Sequence, residues 1–527
     1  MENHGLAAPP PPISVVSGMD KTDELANRLL ARRSDLCELA EDWKAVEDVL
    51  AGPRAVKSCS CADSLTGRRQ SRYLPRNLSE HPDEYLKRLA MTPCFFETPG
   101  VLQARQGALF REAPKIALPE DLAWFENNAT ASGATLQDVL VKISELCQVH
   151  GYAGVLLDRA PLPADAVDRE LSQAEVASRR LARPLWAAYS APQILDIASD
   201  ARGLLWVKLL EESAGQPSWD APPAPLKIVR VVDRETIRVY EIREQPASAI
   251  PRASASLRET IPHGCADADG RPAVPFVFFH PFPGRAGLGR SILRGVAEAD
   301  LAATRVLSEL MWLLHMMTPL LTFKTNREEK EVGDIGLGAT RFLVLQLGSG
   351  GEKPEELSFT QLDPTAADRL AAQYERMVQR AKDQASRSEA VGVAGPVEQS
   401  GISKAWTFKT GEERVLHLLA TCLERGFHAL LEMTARGAGV SAADAVGIQM
   451  PDTFDVQGPE YSITAGAELL PLFAQYGLKS AVAATLEKIF TSWIRNPSQE
   501  LWDKVKGELD ALERSPARPQ ESADERK

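Results

Sequence analysis

Between Ile292 and Leu320 a single apolar seam (Ile292, Val296, Ala299, Ala303, Val306, Leu310, Leu313, Met317 and Leu320) recurs every three or four residues for about four heptads. A helix with so long an apolar stripe needs a long partner. The spacing predicts a helix over Ile292 to Thr318, stopped by Pro319, which lacks an amide donor and drives the residue before it out of helical geometry. Leu320 to Phe323 and Arg341 to Leu347 then read as short strands, joined by the charged, glycine-bearing connection Asn326 to Gly338. A second helix is predicted from Pro364 to about Arg387, with Asp363 as its N-cap acceptor. Its apolar stripe is thin (Ala367, Leu370, Tyr374, Met377, Ala381, Ala385) and ringed by charge, a pattern of solvent bridging or of packing against neighbouring chains. Seam and second helix together are expected to be under-buried in one chain.

The stretch Glu389 to Lys404, EAVGVAGPVEQSGISK, is a loop of about sixteen residues, long enough to be functional or disordered. Its charges, Glu389, Glu398 and Lys404, leave a net of about minus one, and Gly392, Gly395 and Gly401 loosen its backbone. A helix is expected from Thr410, capped with Glu413, through Val415, Leu419, Leu423, Phe427 and Leu431 to Gly437 as C′ residue.

On the N-terminal side, helices are predicted at Asp20 to Val49, Pro82 to Met91 and Thr135 to His150. Strands are predicted at Gly151 to Asp158, Leu185 to Tyr189, Leu204 to Glu211, Ile228 to Val232, Ile237 to Ile242 and Val274 to Phe279. This is an α+β pattern. Further on, an edge strand at Asp452 to Val456 and helices near Ala465 to Tyr476, Lys479 to Trp493 and Gln499 to Leu512 complete it. Residues 1 to 19 and the tail after Glu513 are rich in proline or charge and are expected to be disordered.

Composition narrows the function. With 527 residues and 44% hydrophobic content, several structural units with real cores are expected. Sixty basic against seventy-two acidic residues leave a net charge of -12, which argues against gripping nucleic acid by its phosphates though not against letting it pass. Seven scattered cysteines form no disulfide framework and fit a reducing compartment, and Cys59 with Cys61 lacks the second pair of a zinc site, so no metal is expected. The apolar run Leu310 to Leu321 is too short to span a bilayer, and the start lacks the pattern of a signal peptide, so no membrane partner is expected. There is no phosphate loop, no H-E-x-x-H, no G-x-S-x-G elbow and no dinucleotide fingerprint. GSGGEKP at Gly348 to Pro354 reads as a turn, and no catalytic residues and no cofactor are predicted.

Several segments in order carry a resemblance: RYLPRN with YLKRLAMTPCF, GVLQARQGALFREAPKI, TLQDVLVKISELCQVHGYAGVLLD, RPLWAAYSAPQILDI with GLLWVKLLEES, and AVPFVFFHPFP ahead of the seam helix. From Tyr73 to Leu512 this order resembles the portal proteins of tailed bacteriophages, in particular a portal-like subgroup of the head-tail connector family. The resemblance implies an α+β portal fold, with an α/β wing over residues 20 to 286, a two-helix stem at 287 to 318 and 363 to 388, and a small α/β clip at 319 to 362. It further implies a channel loop at 389 to 404, a return helix and wing strand at 405 to 460, and a helical crown at 461 to 513. Subunits of that kind assemble as a twelve-fold ring at one capsid vertex and let double-stranded DNA pass during packaging and ejection. Their partners are the terminase large subunit, head-completion or adaptor proteins, and major capsid or scaffold protein. They are virion proteins assembled in the host cytoplasm.

Carried onto this chain, the resemblance places Ile292, Val296, Val306, Leu310, Leu313, Met317, Leu370, Tyr374 and Met377 at subunit contacts of the stem. It places Phe323, Lys324, Asn326, Arg327, Arg341 and Phe342 at the clip surface that docks partners. Val391, Gly392, Val393, Gly395, Glu398, Gln399, Ser400, Gly401 and Lys404 would line the DNA channel. A ring of twelve would carry about 144 excess negative charges, so any attraction for DNA must be local. Two other classes fit the same residues: a non-enzymatic phage head or connector component outside the portal fold, and a cytoplasmic α/β enzyme with a scattered site.

Overall fold

Alternating apolar residues in the first half of the chain build two antiparallel sheets, and the computed structural model shows how they stack. It describes residues 21–514 except 63–68, 78–79, 160–182, 214–225, 246–251, 268, 283–288, 317–319, 325–355, 361–363, 387–411, 439, 441–445, 452–453, 455–469, 471–479, 481, 484, 488–489 and 491–498. The chain divides into two units, one of residues 1–389 with 414–452 and one of residues 390–413 with 453–527.

In the first unit the helices are α1 (Lys21–Leu30), α2 (Ser34–Ala51), α3 (Pro82–Met91), α4 (Thr98–Leu109) and α5 (Leu136–His150). Strands β1 (Ala153–Arg159), β2 (Pro184–Ser190) and β8 (Phe276–Phe279) form a sheet in the order β8-β1-β2. Strands β3 (Ile194–Asp200), β4 (Gly203–Ser213), β5 (Leu226–Asp233), β6 (Thr236–Gln245) and β7 (Arg252–Pro262) form a meander in the order β7-β6-β5-β4-β3. Leu156, Tyr189 and Phe276 of the small sheet meet Val207, Val232 and Ile237 of the large one, with Leu36 and Trp43 of α2 closing the same core. The outer face of the large sheet is covered by Ala26 and Leu29 of α1, against Val229, Ile242 and Ala255. A part-buried network ties the two sheets: Arg230 pairs with Asp158 at 2.7 Å and with Glu211 at 2.8 Å, and the Tyr189 hydroxyl donates to Glu211.

The small sheet is closed by α8 (Glu412–Gly437). Trp186 donates from its indole to Thr434 Oγ1 at 2.9 Å, and Phe427 packs against both Trp186 and Phe279. The helix can approach this closely because position 426 is glycine: a Cβ there would lie 2.3 Å from the Phe279 ring. Gly151 is constrained differently. It ends α5 in the left-handed region at φ +89°, where a Cβ would stand 2.5 Å from the backbone of Gly289 and Arg290. In the second unit α9 (Gln499–Arg514) carries Trp502, stacked on Phe490 at 5.8 Å, with Lys506 over the Trp502 ring.

Several expectations need correction. The single helix over residues 20–49 is broken at residues 31–33, because Lys208 donates to the carbonyls of Arg28 and Ala31 while Arg33 N–H pairs with the Leu195 carbonyl. Strands β3 and β7 and helix α4 went unforeseen. The edge strand expected at 452–456 is instead Gly447–Gln449, paired with Lys115–Ala117, and Phe454 is not in a strand. Gly437 is the last residue of α8 rather than a left-handed C′ residue. The helix expected at Gln499 is present, while those near 465–476 and 479–493 lie mostly outside the described residues.

His263, just after β7, is buried and has both ring nitrogens committed: Nε2–H donates to the Asp233 carbonyl at 2.9 Å and Nδ1 accepts the Cys265 N–H at 3.1 Å. Burial lowers its pKa from the ordinary 6.5, an effect to which Arg159 adds and which the Asp233 carbonyl opposes. The unfolded chain therefore takes up this proton more readily than the folded one. The stability that neutral His263 provides is present above about pH 6.5 and lost as pH falls through its lowered value. Thermal melts should show a drop in stability on acidification from pH 7 to 5, and the drop should be smaller in His263→Gln, whose amide replaces the ring donor without titrating.

Candidate assembly surface

The seam helix, α6 (Arg294–Met316), contains more than apolar residues: Asp300, Thr304 and Ser308 recur every four positions on its buried side. Each finds a partner. Asp300 accepts from the N–H groups of Glu97 and Thr98 at 3.2 and 3.0 Å and from the Thr98 hydroxyl at 2.7 Å, so it serves as the anion at the start of α4. Burial pushes its pKa up while the donors of Thr98 and Glu97 pull it down, and the upward effect is the larger. Thr304 donates back to the Asp300 carbonyl at 2.8 Å. Ser308 Oγ takes hydrogen bonds from Arg88 and from Thr92, both at 2.9 Å. Arg88 is itself fixed in a buried, two-pronged pair with Glu80, at 2.8 and 2.9 Å. Arg294 at the helix start pairs with Asp42 of α2 at 2.8 Å, and Arg305 reaches the Tyr73 carbonyl.

Apolar contacts follow the same gradient. Leu293, Ala297 and Leu301 share a core with Val46 and Val49 of α2 and Leu102 of α4. Past Ser308 the cover thins: Leu310, Met311, Trp312 and Leu313 are half-buried and Leu314 is 47% exposed. The helix is thus rooted in the α/β body along its first half and leaves it along its last turns.

The return arm is α7 (Thr365–Ser386), and α6 and α7 lie side by side. Ala381, near the end of α7, packs on Val296 and Ala299 near the start of α6, and Gln384 lies against Gly295, so the two helices run in opposite directions. At their other ends β9 (Leu320–Lys324) pairs antiparallel with β10 (Glu356–Thr360), in the register Leu321 with Phe359 and Phe323 with Leu357. The thin stripe of α7 faces α6 only in part: Ala367 and Ala381 are buried, while Leu370, Tyr374 and Met377 are half-buried. Lys382 stands 3.7 Å from Glu97, and burial with Glu97 nearby raises the Tyr374 pKa.

The expected contact residues therefore divide. Val296 and Val306 are buried within the chain itself, which corrects the expectation of an under-buried seam over that half: α2, α3 and α4 already cover it. Ile292 is half-buried just ahead of the helix, which begins at Arg294. Leu310, Leu313, Leu370, Tyr374 and Met377 retain exposed surface, and Met317 lies outside the described residues. Phe323 and Lys324 are in β9, whose partner strand is residues 356–360, where Leu357 and Phe359 alternate with polar residues; the strand expected at Arg341 to Leu347 lies outside the described residues. Asn326, Arg327, Arg341 and Phe342 lie outside the described residues. So do Val391, Gly392, Val393, Gly395, Glu398, Gln399, Ser400, Gly401 and Lys404. The polar pins Asp300 and Ser308 were missed, although a polar residue every fourth position inside an apolar seam is a signal of buried hydrogen bonding.

Among the described residues no three or more His, Cys, Asp and Glu are grouped as metal ligands, and no helix is long and apolar enough to cross a membrane. A cleft at the ends of β1, β2 and α8 is lined by Asp158, Arg159, His263, Cys265 and Arg436, but His263 there has no free nitrogen.

Removing the anion at position 300 tests the root directly. Asp300→Ala would strand the buried donors of Glu97 and Thr98, and should cost about 2–4 kcal/mol in denaturant melts. Asp300→Asn, which keeps one acceptor, should cost less.

No family model matches the chain, and no curated protein matches it. Among solved structures it is similar to a chain from the virion of a native gene transfer agent particle, at 11% identity over 76% of this chain and 88% of that one, with a TM-score of 0.35.

Proposed function

We propose that this chain is a ring-forming structural subunit of the phage portal type, whose copies surround a channel for double-stranded DNA. The observation that supports the reading most is the out-and-back arm: α6 leaves the body past Ser308, the chain turns through the β9–β10 pair, and α7 returns to the root. A helix pair rooted at one end and part-bare at the other is suited to packing against copies of itself. Its part-bare residues, the half-buried Leu310, Leu313, Leu370, Tyr374 and Met377 and the exposed Leu314, are apolar or aromatic, while the exposed side of α7 is polar and charged. In this reading α6 and α7 are the stem, β9–β10 with residues 325–355 the clip that docks the packaging motor and later the head-completion proteins, and residues 389–404 the channel loop. The helices after residue 461 form the crown. The acidic net charge of -12 suits a channel that DNA slides through rather than binds.

Electron microscopy of the purified protein tests this. Closed rings with a central hole are expected at micromolar concentration. Leu313→Asp should abolish them while leaving the circular dichroism spectrum and the melting of the body nearly unchanged, because Leu313 is only half-buried in the single chain and a charge there would be fully buried only between copies, at a cost of a few kcal/mol per subunit. A monomer that stays monomeric at those concentrations, or rings indifferent to Leu313→Asp, would overturn the stem assignment. Particles without a hole would favour another head or connector component.

A further inference from the structure

One stretch of this acidic chain runs against its charge. Residues 54–76 hold six basic residues and one acid, Asp63, in a protein whose net charge is -12. Hydrogen bonds gather the stretch into one module. Ser71 Oγ donates to the Val56 carbonyl at 2.6 Å, Arg69–Gln70 pairs antiparallel with Cys61–Ala62, and Gln70 Oε1 accepts the Arg76 N–H at 3.0 Å. The Tyr85 hydroxyl of α3 accepts the Ser71 N–H at 2.7 Å and donates to the Leu74 carbonyl at 2.8 Å, which ties the module to the body. Val56, Ser71, Tyr73 and Leu74 are buried, whereas Arg54, Arg69 and Arg72 are exposed and Lys57 and Arg76 are half-buried.

The carboxylates nearest this module are already committed. Glu41 pairs with Arg72, Asp48 is taken by Lys44 and the Tyr73 hydroxyl, and Glu80 holds Arg88. Among the described residues, Arg54, Lys57, Arg69 and Arg76 have no carboxylate partner. Elsewhere in the same unit surface arginines are answered, as in Arg234 with Asp200, Arg238 with Asp233 and Arg243 with Glu241. The hydrogen bonds that join residues 56 with 71 and 70 with 76 keep the four free cations within roughly 20 Å of backbone, a span over which one DNA strand carries about six phosphates. The module's large apolar side chains face inward, so it lacks the apolar anchor of a protein interface and has the polar, arginine-rich character of a phosphate-binding one.

We propose that Arg54, Lys57, Arg69 and Arg76 form a contact surface for the phosphate backbone of double-stranded DNA, without reading its sequence. The choice of duplex as the polyanion rests on the portal-type reading above; the cluster itself does not depend on ring formation. It supplies the local attraction that the chain's overall charge opposes.

Fluorescence anisotropy of the full chain with a labelled duplex of about 30 base pairs, over a salt series starting near 50 mM, tests this. The wild type should bind. The triple variant R54Q/R69Q/R76Q should bind tenfold or more weakly, with the slope of log Kd against log salt flatter by about one for each cation removed from a bound subunit. Its melting should be unchanged, because none of these side chains is paired within the described residues. R54K/R69K/R76K should keep the slope, and Arg243→Gln, which removes a cation elsewhere, should bind like the wild type. A wild type that fails to bind near 50 mM salt, or a triple variant that binds as well, would overturn the proposal. Displacement of the duplex by polyglutamate at equal charge would show a surface for acidic protein segments, which also overturns it. Electron microscopy separates this outcome from the ring assignment. Rings that do not bind duplex overturn the DNA contact alone, whereas binding lost in the triple variant without any rings supports the contact and overturns only the stem assignment.

Discussion

The carboxylate of Asp300 lies buried among three donors at the start of α4, and the rest of the first unit is organised around the helix that carries it. Burying a carboxylate is costly unless its lone pairs are satisfied, and only one placement of α6 against residues 97 and 98 satisfies them. Two turns on, Ser308 meets Arg88, whose guanidinium is occupied by Glu80 and cannot follow α6 if it slides. Apolar packing alone would tolerate a shift of one turn along the seam. These two pins, eight residues apart on the same side, do not.

How much of this was legible in the sequence depends on which force set each element. Periodicity located α6, α7 and most strands of both sheets, because their apolar residues are regularly spaced. Strand β7 escaped because the first half of RASASLRETIP offers alanines and serines and its β-branched residues, Thr260 and Ile261, come only at the end; its partner β6 makes it a strand. The break between α1 and α2 has no glycine or proline to announce it. It is imposed by Lys208 and the Leu195 carbonyl, contacts about 160 residues or more away in sequence. The candidate surface was readable as a place but not as a balance. A seam of nine apolar residues looks equally bare along its length until α2, α3 and α4 are seen to cover its first half.

That partial cover bears on what the arm can do. If all of α6 were unburied, the helix pair would need neighbours to fold, and the chain would have no stable free form. Rooted by Asp300 and Ser308, the first half holds its place in a single chain, while residues 310–314 keep apolar surface in reserve. The charged side of α7 limits how that surface can be satisfied. Glu375, Arg376, Arg380 and Lys382 stand beside the apolar residues, so a partner must bring apolar groups in register with matching charges rather than a generic hydrophobic face. In the proposed ring, a copy of the same helix pair, set at the same angle by the same two pins, would have to meet both demands at every interface. Rigid placement at the root is what would let identical contacts repeat around a closed ring, since a stem free to pivot would leave each successive interface at a different angle.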